Sequence, residues 1–323
     1  MTYAEQKPEL LVIAKRGNGI ETLHYGWICV LNKDKKIIYK KGDINNKIFL
    51  RSCTKPIQAI PLVENEIKIN DKELAVICGS HSASSKHLEL LKNILRKNKL
   101  QISDLKCGIH PPIDEEEKIR LIKSNKQSNQ LHNNCSGKHL GMLVVSKKKK
   151  WDLSSYANLN HPIQKLILNK IKKLSKTKNT TTAIDGCGVP TFSLPVINIA
   201  IMFSNFSCEN KYSKIISAMA KHPFFVGGDG QIDTEIIKST KGRVIAKVGA
   251  EGIIVVMNNG NCIVIKIADG NSKIRSFVVV KLLVQLGWLK QSEINKNLFL
   301  KRLTKGEVKN HKGLTVGKLI FTS

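Results

Sequence analysis

Two groups of short β-type segments, one at each end of the chain, bracket a middle that reads as helix. This arrangement constrains the fold more than any other feature. Near the start, residues 10–14 and 27–31 are apolar runs, and a polar turn at 32–36 leads to a third run at 37–39, a hairpin pattern. Near the end, 244–248, 253–257 and 262–267 read as strands, with Asn258-Asn259-Gly260-Asn261 supplying the turn between the last two. Between the two groups, Leu88, Leu91, Ile94 and Leu95 in 87–97 fall at helical spacing, as do Ile163, Leu166, Ile167, Ile171 and Leu174 in 161–174. A long apolar helix is expected at 273–286. The expectation is an α+β protein, an α/β sandwich with a largely antiparallel sheet and helices packed on it. No repeat and no Pro/Gly/Ser linker divides the 323 residues, so they read as a single domain over 1–323.

The balance of 53 basic against 25 acidic residues gives +28, which first suggests a nucleic-acid partner. Only 7 of the 53 are Arg, the residue suited to phosphate and base recognition, and 26 Asn accompany the lysines. Lys, Asn and Ile are what A/T-rich codons encode, so the charge is read as composition and solvation rather than as the mark of a polyanion partner. The run Lys147-Lys148-Lys149-Lys150 beside the single aromatic Trp151 reads as a solvated loop. No run of 18 or more uncharged apolar residues appears, so no membrane-spanning helix is expected, and the first residues lack an export-signal pattern. A cytoplasmic protein with reduced thiols is expected. Its eight cysteines, at 29, 53, 78, 107, 135, 187, 208 and 262, form no CxxC.

Five segments carry chemistry. In Ser52-Cys53-Thr54-Lys55, Ser and Lys stand one helical turn apart on one face, and a buried neutral lysine can serve as base to a serine. An N-capping Ser52 with a surface lysine is the ordinary alternative, with Pro56 in the first turn and Pro61 kinking the helix beyond it. In Cys78-Gly79-Ser80-His81-Ser82-Ala83-Ser84-Ser85, small residues either aim Ser80 into a cleft or cap a helix beginning near Lys86. In Asn133-Asn134-Cys135-Ser136-Gly137-Lys138-His139, Cys135 and Lys138 share a face. In Asp185-Gly186-Cys187-Gly188, glycines flank a cysteine beside an acid, and Cys135 with Cys187 can supply a soft thiolate pair for a metal such as zinc. The segment from Arg243 to Gly252 reads as an edge-like strand ending in Lys247-Val248-Gly249. The order S-x-x-K, serine turn, K-x-G is that of penicillin-binding enzymes.

These segments occur together with Arg16-Gly17, Glu21, His24, CGIHPP and IKIADGN, and the whole resembles the asparaginase II family, the Rhizobium-type or class 3 L-asparaginases. The resemblance implies a serine β-lactamase-like or penicillin-binding-protein-like fold, a homodimer, and hydrolysis of L-asparagine to L-aspartate and ammonia. It implies two Ser–Lys pairs, Ser52–Lys55 and Ser80–Lys247, and one Zn2+ per chain held by Cys135, Lys138 and Cys187. It implies that Arg51, His139 and Asp185 line the site. By analogy with that fold, Gly249 and Ala250 border the substrate, with the backbone N–H groups of Ser52 and Ala250 facing the oxyanion. Glutaminase or other small-amide hydrolase activity would use the same site, and nucleic-acid binding is the reading from a different class. Ala83-Ser84-Ser85 replaces the Gly-Glu-Pro common in the family, and Val248 replaces a common glycine.

Overall fold

The computed structural model describes residues 6–322. Eleven strands form two sheets. The larger contains β1 (Glu9–Arg16), β2 (Gly19–Leu31), β3 (Ile37–Lys41), β7 (Ile245–Val248), β8 (Ile253–Asn258), β9 (Asn261–Ile267), β10 (Glu307–Lys309) and β11 (Thr315–Phe321). Its order is β10-β11-β1-β2-β9-β8-β7, with β3 also on β2, and every pairing is antiparallel. The 13-residue β2 is long enough to pair β1 along its first part and β3 along its last, while β9 runs along its other edge. The smaller sheet is β4 (Lys47–Phe49), β6 (Pro190–Pro195) and β5 (Thr181–Ile184), in that order.

Alternation along the central strands explains why they read as unbroken apolar runs. Trp27, Cys29, Leu31, Val255 and Val264 face one core, which includes the helix Val196–Cys208. Ile28, Val30, Ile254, Val256, Ile263 and Ile265 face a second core closed by the helix Ser272–Gln285. A strand covered on both faces has no position free for a polar residue.

The expected elements are present as β1, β2, β3, β7, β8, β9 and the helices Ser85–Lys97, Pro162–Ser175 and Ser272–Gln285. The 258–261 turn has left-handed Asn259 (φ 46°) and Gly260 (φ 85°), as a two-residue hairpin requires. Pro61 lies in the first turn of a second short helix, Ile60–Glu64, which comes after Lys55–Gln58 and a break at Ala59. Three expectations need correction. Ser52 caps nothing: it lies inside the 3-10 turn Arg51–Thr54, and Thr54 holds the N-cap position of the next helix. Lys147 and Lys148 are not loop residues but the end of the helix Ser136–Lys148. There Lys147 Nζ donates to the carbonyls of Asn98 (2.9 Å) and Lys99 (2.8 Å), and Lys148 Nζ to that of Asn65 (2.8 Å). The smaller sheet and the β10–β11 hairpin went unread, because β5 and β11 are short or half-exposed and lack a dense apolar pattern.

Gly26 marks one of two equally tight backbone contacts in the large sheet, the other being Gly317 against Lys15. A Cβ at Gly26 would sit 2.1 Å from the Lys266 carbonyl oxygen and 2.8 Å from Leu11 Cδ1. Gly26→Ala is expected to lower stability by about 1–3 kcal/mol through overpacking. The drop would be read as a lower denaturant midpoint; an unchanged midpoint would show that β2 and β9 can separate at no cost.

Candidate active site

Five of the chain segments that line one cavity of about 400 Å³ carry the candidate residues. The turn Arg51–Thr54 supplies Arg51 and Ser52, and the loop after the helix Asp71–Cys78 supplies Ser80. The entry to the helix Ser136–Lys148 supplies Cys135, the β5–β6 hairpin supplies Asp185 and Cys187, and the end of β7 supplies Gly249 and Ala250. Ser80 is pinned by its backbone N–H, which donates to the Val226 carbonyl at 2.7 Å. Gly249 is required by space: a Cβ would lie 2.5 Å from Ile253 Cγ2 and 3.2 Å from the Leu50 carbonyl oxygen.

Beneath the cavity lie the buried lysines Lys55, Lys138 and Lys247. Lys55 Nζ donates to Ser80 Oγ at 2.9 Å and to the Asn134 carbonyl at 3.0 Å. Lys247 Nζ donates to the same Ser80 Oγ at 2.9 Å and to the Val248 carbonyl at 2.8 Å. Both lysines therefore meet on Ser80, and among the described residues Ser52 Oγ has no hydrogen-bond partner. Ser52 precedes Lys55 by three residues at the mouth of the same cavity. The backbone N–H groups of Ser52 and Ala250 likewise donate to no protein acceptor among the described residues.

The electrostatics separate the lysines. Burial lowers Lys55 to about 8; Cys135 pulls against that shift and Lys247 reinforces it. Lys247 forms a fully buried ion pair with Asp233 at 3.4 Å. Burial also pulls Lys138 down, but Cys135, Cys187 and Asp185 outweigh it and raise its pKa. Burial pushes Asp185 up, yet Lys138 and Arg51 hold it at about 2, with Arg51 Nε 2.7 Å and Lys138 Nζ 3.5 Å from its carboxylate. The mutual influence of the two thiols lowers Cys135 and raises Cys187; the Cys187 thiol donates to Asp185 Oδ2 at 3.5 Å and the Cys135 thiol to Asn134 Oδ1 at 3.3 Å.

His139 lies outside the cavity lining. It is fully buried, with Nδ1 2.6 Å from the Tyr156 hydroxyl and Nε2 unpartnered. Ala83 is buried with φ 63°, a left-handed conformation that the family's usual glycine adopts without strain; its methyl is packed into the core instead. Ser84 occupies the N-cap position of the next helix, its Oγ 2.7 Å from His87 Nδ1. Val248 gives its N–H to Asp233 at 3.2 Å.

Sequence reasoning missed the Asn134 carbonyl, Asp233 and Arg275. A carbonyl carries no side-chain signal, and neither Asp233 nor Arg275 stands in a motif of its own. Among the described residues, no group of three or more His, Cys, Asp and Glu side chains is placed to hold a metal ion. The sulfurs of Cys135 and Cys187 nevertheless lie together with Lys138, a set of two soft donors and an amine that suits zinc once Lys138 loses its proton. A larger surface cleft, about 1060 Å³, runs along Glu235, Arg243 and Glu293, but it contains none of the candidate serines or cysteines, and Arg243 is paired with Glu293 at 2.9 Å.

Comparison with curated proteins finds no match. Among solved structures, the chain is similar to a β-lactamase from Mycobacterium bovis (12% identity, 80% of this chain and 94% of that one, TM-score 0.42). It is also similar to a putative β-lactamase from Bacteroides dorei (12%, 80% and 93%, TM-score 0.45). Simvastatin synthase from Aspergillus terreus matches at 11% identity over 79% and 88%, with a TM-score of 0.33. The family model for L-asparaginase II matches residues 12–321, nearly the whole chain, and the protein belongs to the L-asparaginase II family of amidohydrolases.

Proposed function

We propose that this cavity hydrolyses the side-chain amide of L-asparagine to L-aspartate and ammonia, with Ser52 as nucleophile. The observation that carries the reading is Ser80 Oγ held between two buried lysines, with a second serine free at the cavity mouth. Ser52 Oγ attacks the amide carbonyl, and Lys55, neutral above about pH 8, takes its proton. The N–H groups of Ser52 and Ala250 face the developing oxyanion. Ser80, bridging Lys55 and Lys247, passes a proton to the departing ammonia. Water then hydrolyses the β-aspartyl ester, with Lys55 again as base. Arg51 and Asp185, paired at 2.7 Å, border the substrate and order that wall of the cavity. His139, behind the Lys138 helix turn, supports the site from within.

The reading extends to one Zn2+ per chain on Cys135, Lys138 and Cys187. The ion supplies a Lewis acid that orients the substrate's polar groups. It also extends to a cytoplasmic homodimer. Eight free thiols suit a reducing compartment, and the cross-strand row Ile13, Leu23 and Ile320 leaves apolar surface exposed on β1, β2 and β11.

Ammonia release with L-asparagine, L-glutamine and buffer tests the activity. Ser52→Ala is expected to lower turnover by about 10³-fold or more. Wild-type turnover in Ser52→Ala together with its loss in Ser80→Ala would make Ser80 the nucleophile. The pH profile tests the base. Below about 8 Lys55 is protonated and cannot accept, so the rate should climb with pH and level off above that value. A flat profile from about pH 6 to 10 would exclude a lysine base. For the metal, Cys135→Ser with Cys187→Ser should abolish bound zinc in elemental analysis while leaving thermal unfolding little changed, because a core of this size does not need a metal to fold. Unchanged zinc content would place the ion elsewhere.

A further inference from the structure

The cavity wall holds a second guanidinium that the mechanism does not use. Arg275 stands in the first turn of the helix Ser272–Gln285 and lines the cavity with Ser52, Ser80 and Gly249. It is 8% exposed, so the charge has been taken almost wholly out of water. Burial lowers its pKa, and Asp233 and Cys53 only partly offset the effect. Its three nitrogens differ. Nη1 donates to the Gly249 carbonyl at 3.3 Å. Nε is sealed without a partner. Nη2 has no protein acceptor among the described residues and, unlike Nε, is not sealed, and the residue lines the cavity.

The other cavity guanidinium is already satisfied, since Arg51 is 2.7 Å from Asp185 and 3.8 Å from Glu251. Among the described residues Arg275 has no carboxylate at ion-pair distance. Asp233, which it feels through space, is committed to Lys247 at 3.4 Å and to the backbone N–H groups of Val248 and Thr234 at 3.2 and 3.0 Å. A buried cation without its own counter-ion is costly, and a ligand carboxylate supplies what is missing.

We propose that Arg275 anchors a carboxylate of the substrate, forming a subsite beside Ser52 and Ser80 that selects amides carrying an acid group. The inference rests on the amide-hydrolase reading and adds the residue that holds the substrate's carboxylate. Because the same side chain holds the Gly249 carbonyl, and a trans peptide points the next N–H the opposite way, the anchor is tied rigidly to the Ala250 N–H.

The test compares L-asparagine with 3-aminopropanamide, the same amide without the carboxylate. In Arg275→Gln, KM for L-asparagine should rise about 10–100-fold, the effect of losing a hydrogen bond to a charged group. KM for 3-aminopropanamide should change far less, any loss common to both amides reporting the lost contact with the Gly249 carbonyl, and Arg275→Lys should recover part of the difference between them. If Arg275→Gln lowers kcat/KM equally for both amides, the side chain only holds Gly249 and the anchor is refuted. A measurement that needs no variant is calorimetric titration of the wild-type protein with succinate and with succinamide: succinate should bind at least about 10-fold more tightly, and equal binding overturns the proposal. If the wild-type protein hydrolyses neither amide, the hydrolase reading falls on its own. Succinate titrated into wild type and Arg275→Gln then still decides the subsite, which stands if the variant loses binding and falls if it does not.

Discussion

Three lysine side chains lie out of water around one small cavity, and the rest of the site depends on how each ammonium group is compensated. Lys55 and Lys247 are fully buried and Lys138 is 3% exposed. Removing such a charge from water costs several kcal/mol even after relaxation. Lys247 is answered by Asp233, and Lys138 by Asp185 and the thiol pair. Lys55 alone meets only neutral acceptors, a serine hydroxyl and a carbonyl. It is the one whose charge is given up near pH 8. Withholding a carboxylate from one lysine of three thus leaves that lysine to give up its charge near pH 8.

Such a site needs a scaffold that tolerates buried charge. The large sheet contributes to it by burying residues on both faces, and β7 delivers Lys247 beside the apolar run Ile253–Met257 of β8. A second layer of neutral polar contacts fixes the serine loop. His81 is fully buried, its Nε2 lies 2.9 Å from Ser136 Oγ, and that hydroxyl donates onward to the Leu131 carbonyl at 3.0 Å. Burial and the neighbouring His87 hold His81 well below the usual histidine range, so the ring stays neutral next to Lys55. A charged histidine there would add a fourth cation to an already positive floor.

What could be read from the chain divides along the same physical line. Strands β2, β8 and β9 and the longer helices announce themselves because burial on both faces, or on a stripe, leaves a dense apolar pattern. The small sheet does not, since β5 is a mostly exposed Thr181–Ile184 whose role is to present Asp185 and Cys187. Ser52, Ser80, Cys135 and Cys187 stood out only in combination: each segment alone also reads as an ordinary cap, loop or core thiol, and it is the order S-x-x-K, serine turn, K-x-G together with the resemblance to the asparaginase II family that singles them out. The partition of the lysines was not legible. Asp233 and Arg275 belong to none of the motifs and meet Lys247 and Gly249 only through the packing of helices 232–239 and 272–285 on the sheet. Nor could the sequence tell that Lys55 reaches past Ser52 to Ser80, because that depends on where the loop after Cys78 is pinned.

The composition hides this chemistry rather than advertising it. In a chain with +28 net charge, a lysine three residues after a serine means little, and most lysines lie in water. The chemical distinction lies in accessibility. An exposed lysine stays an ordinary cation, whereas a buried one must either acquire a counter-ion or lose its proton. The site contains both solutions within hydrogen-bond reach of one hydroxyl, Ser80 Oγ, with Lys55 on one side and the Asp233-paired Lys247 on the other. A hydroxyl in that position can accept from one ammonium while donating toward the amine that has lost its proton. The two amines that meet on Ser80 Oγ therefore differ in how they are compensated, with a carboxylate on one side and none on the other.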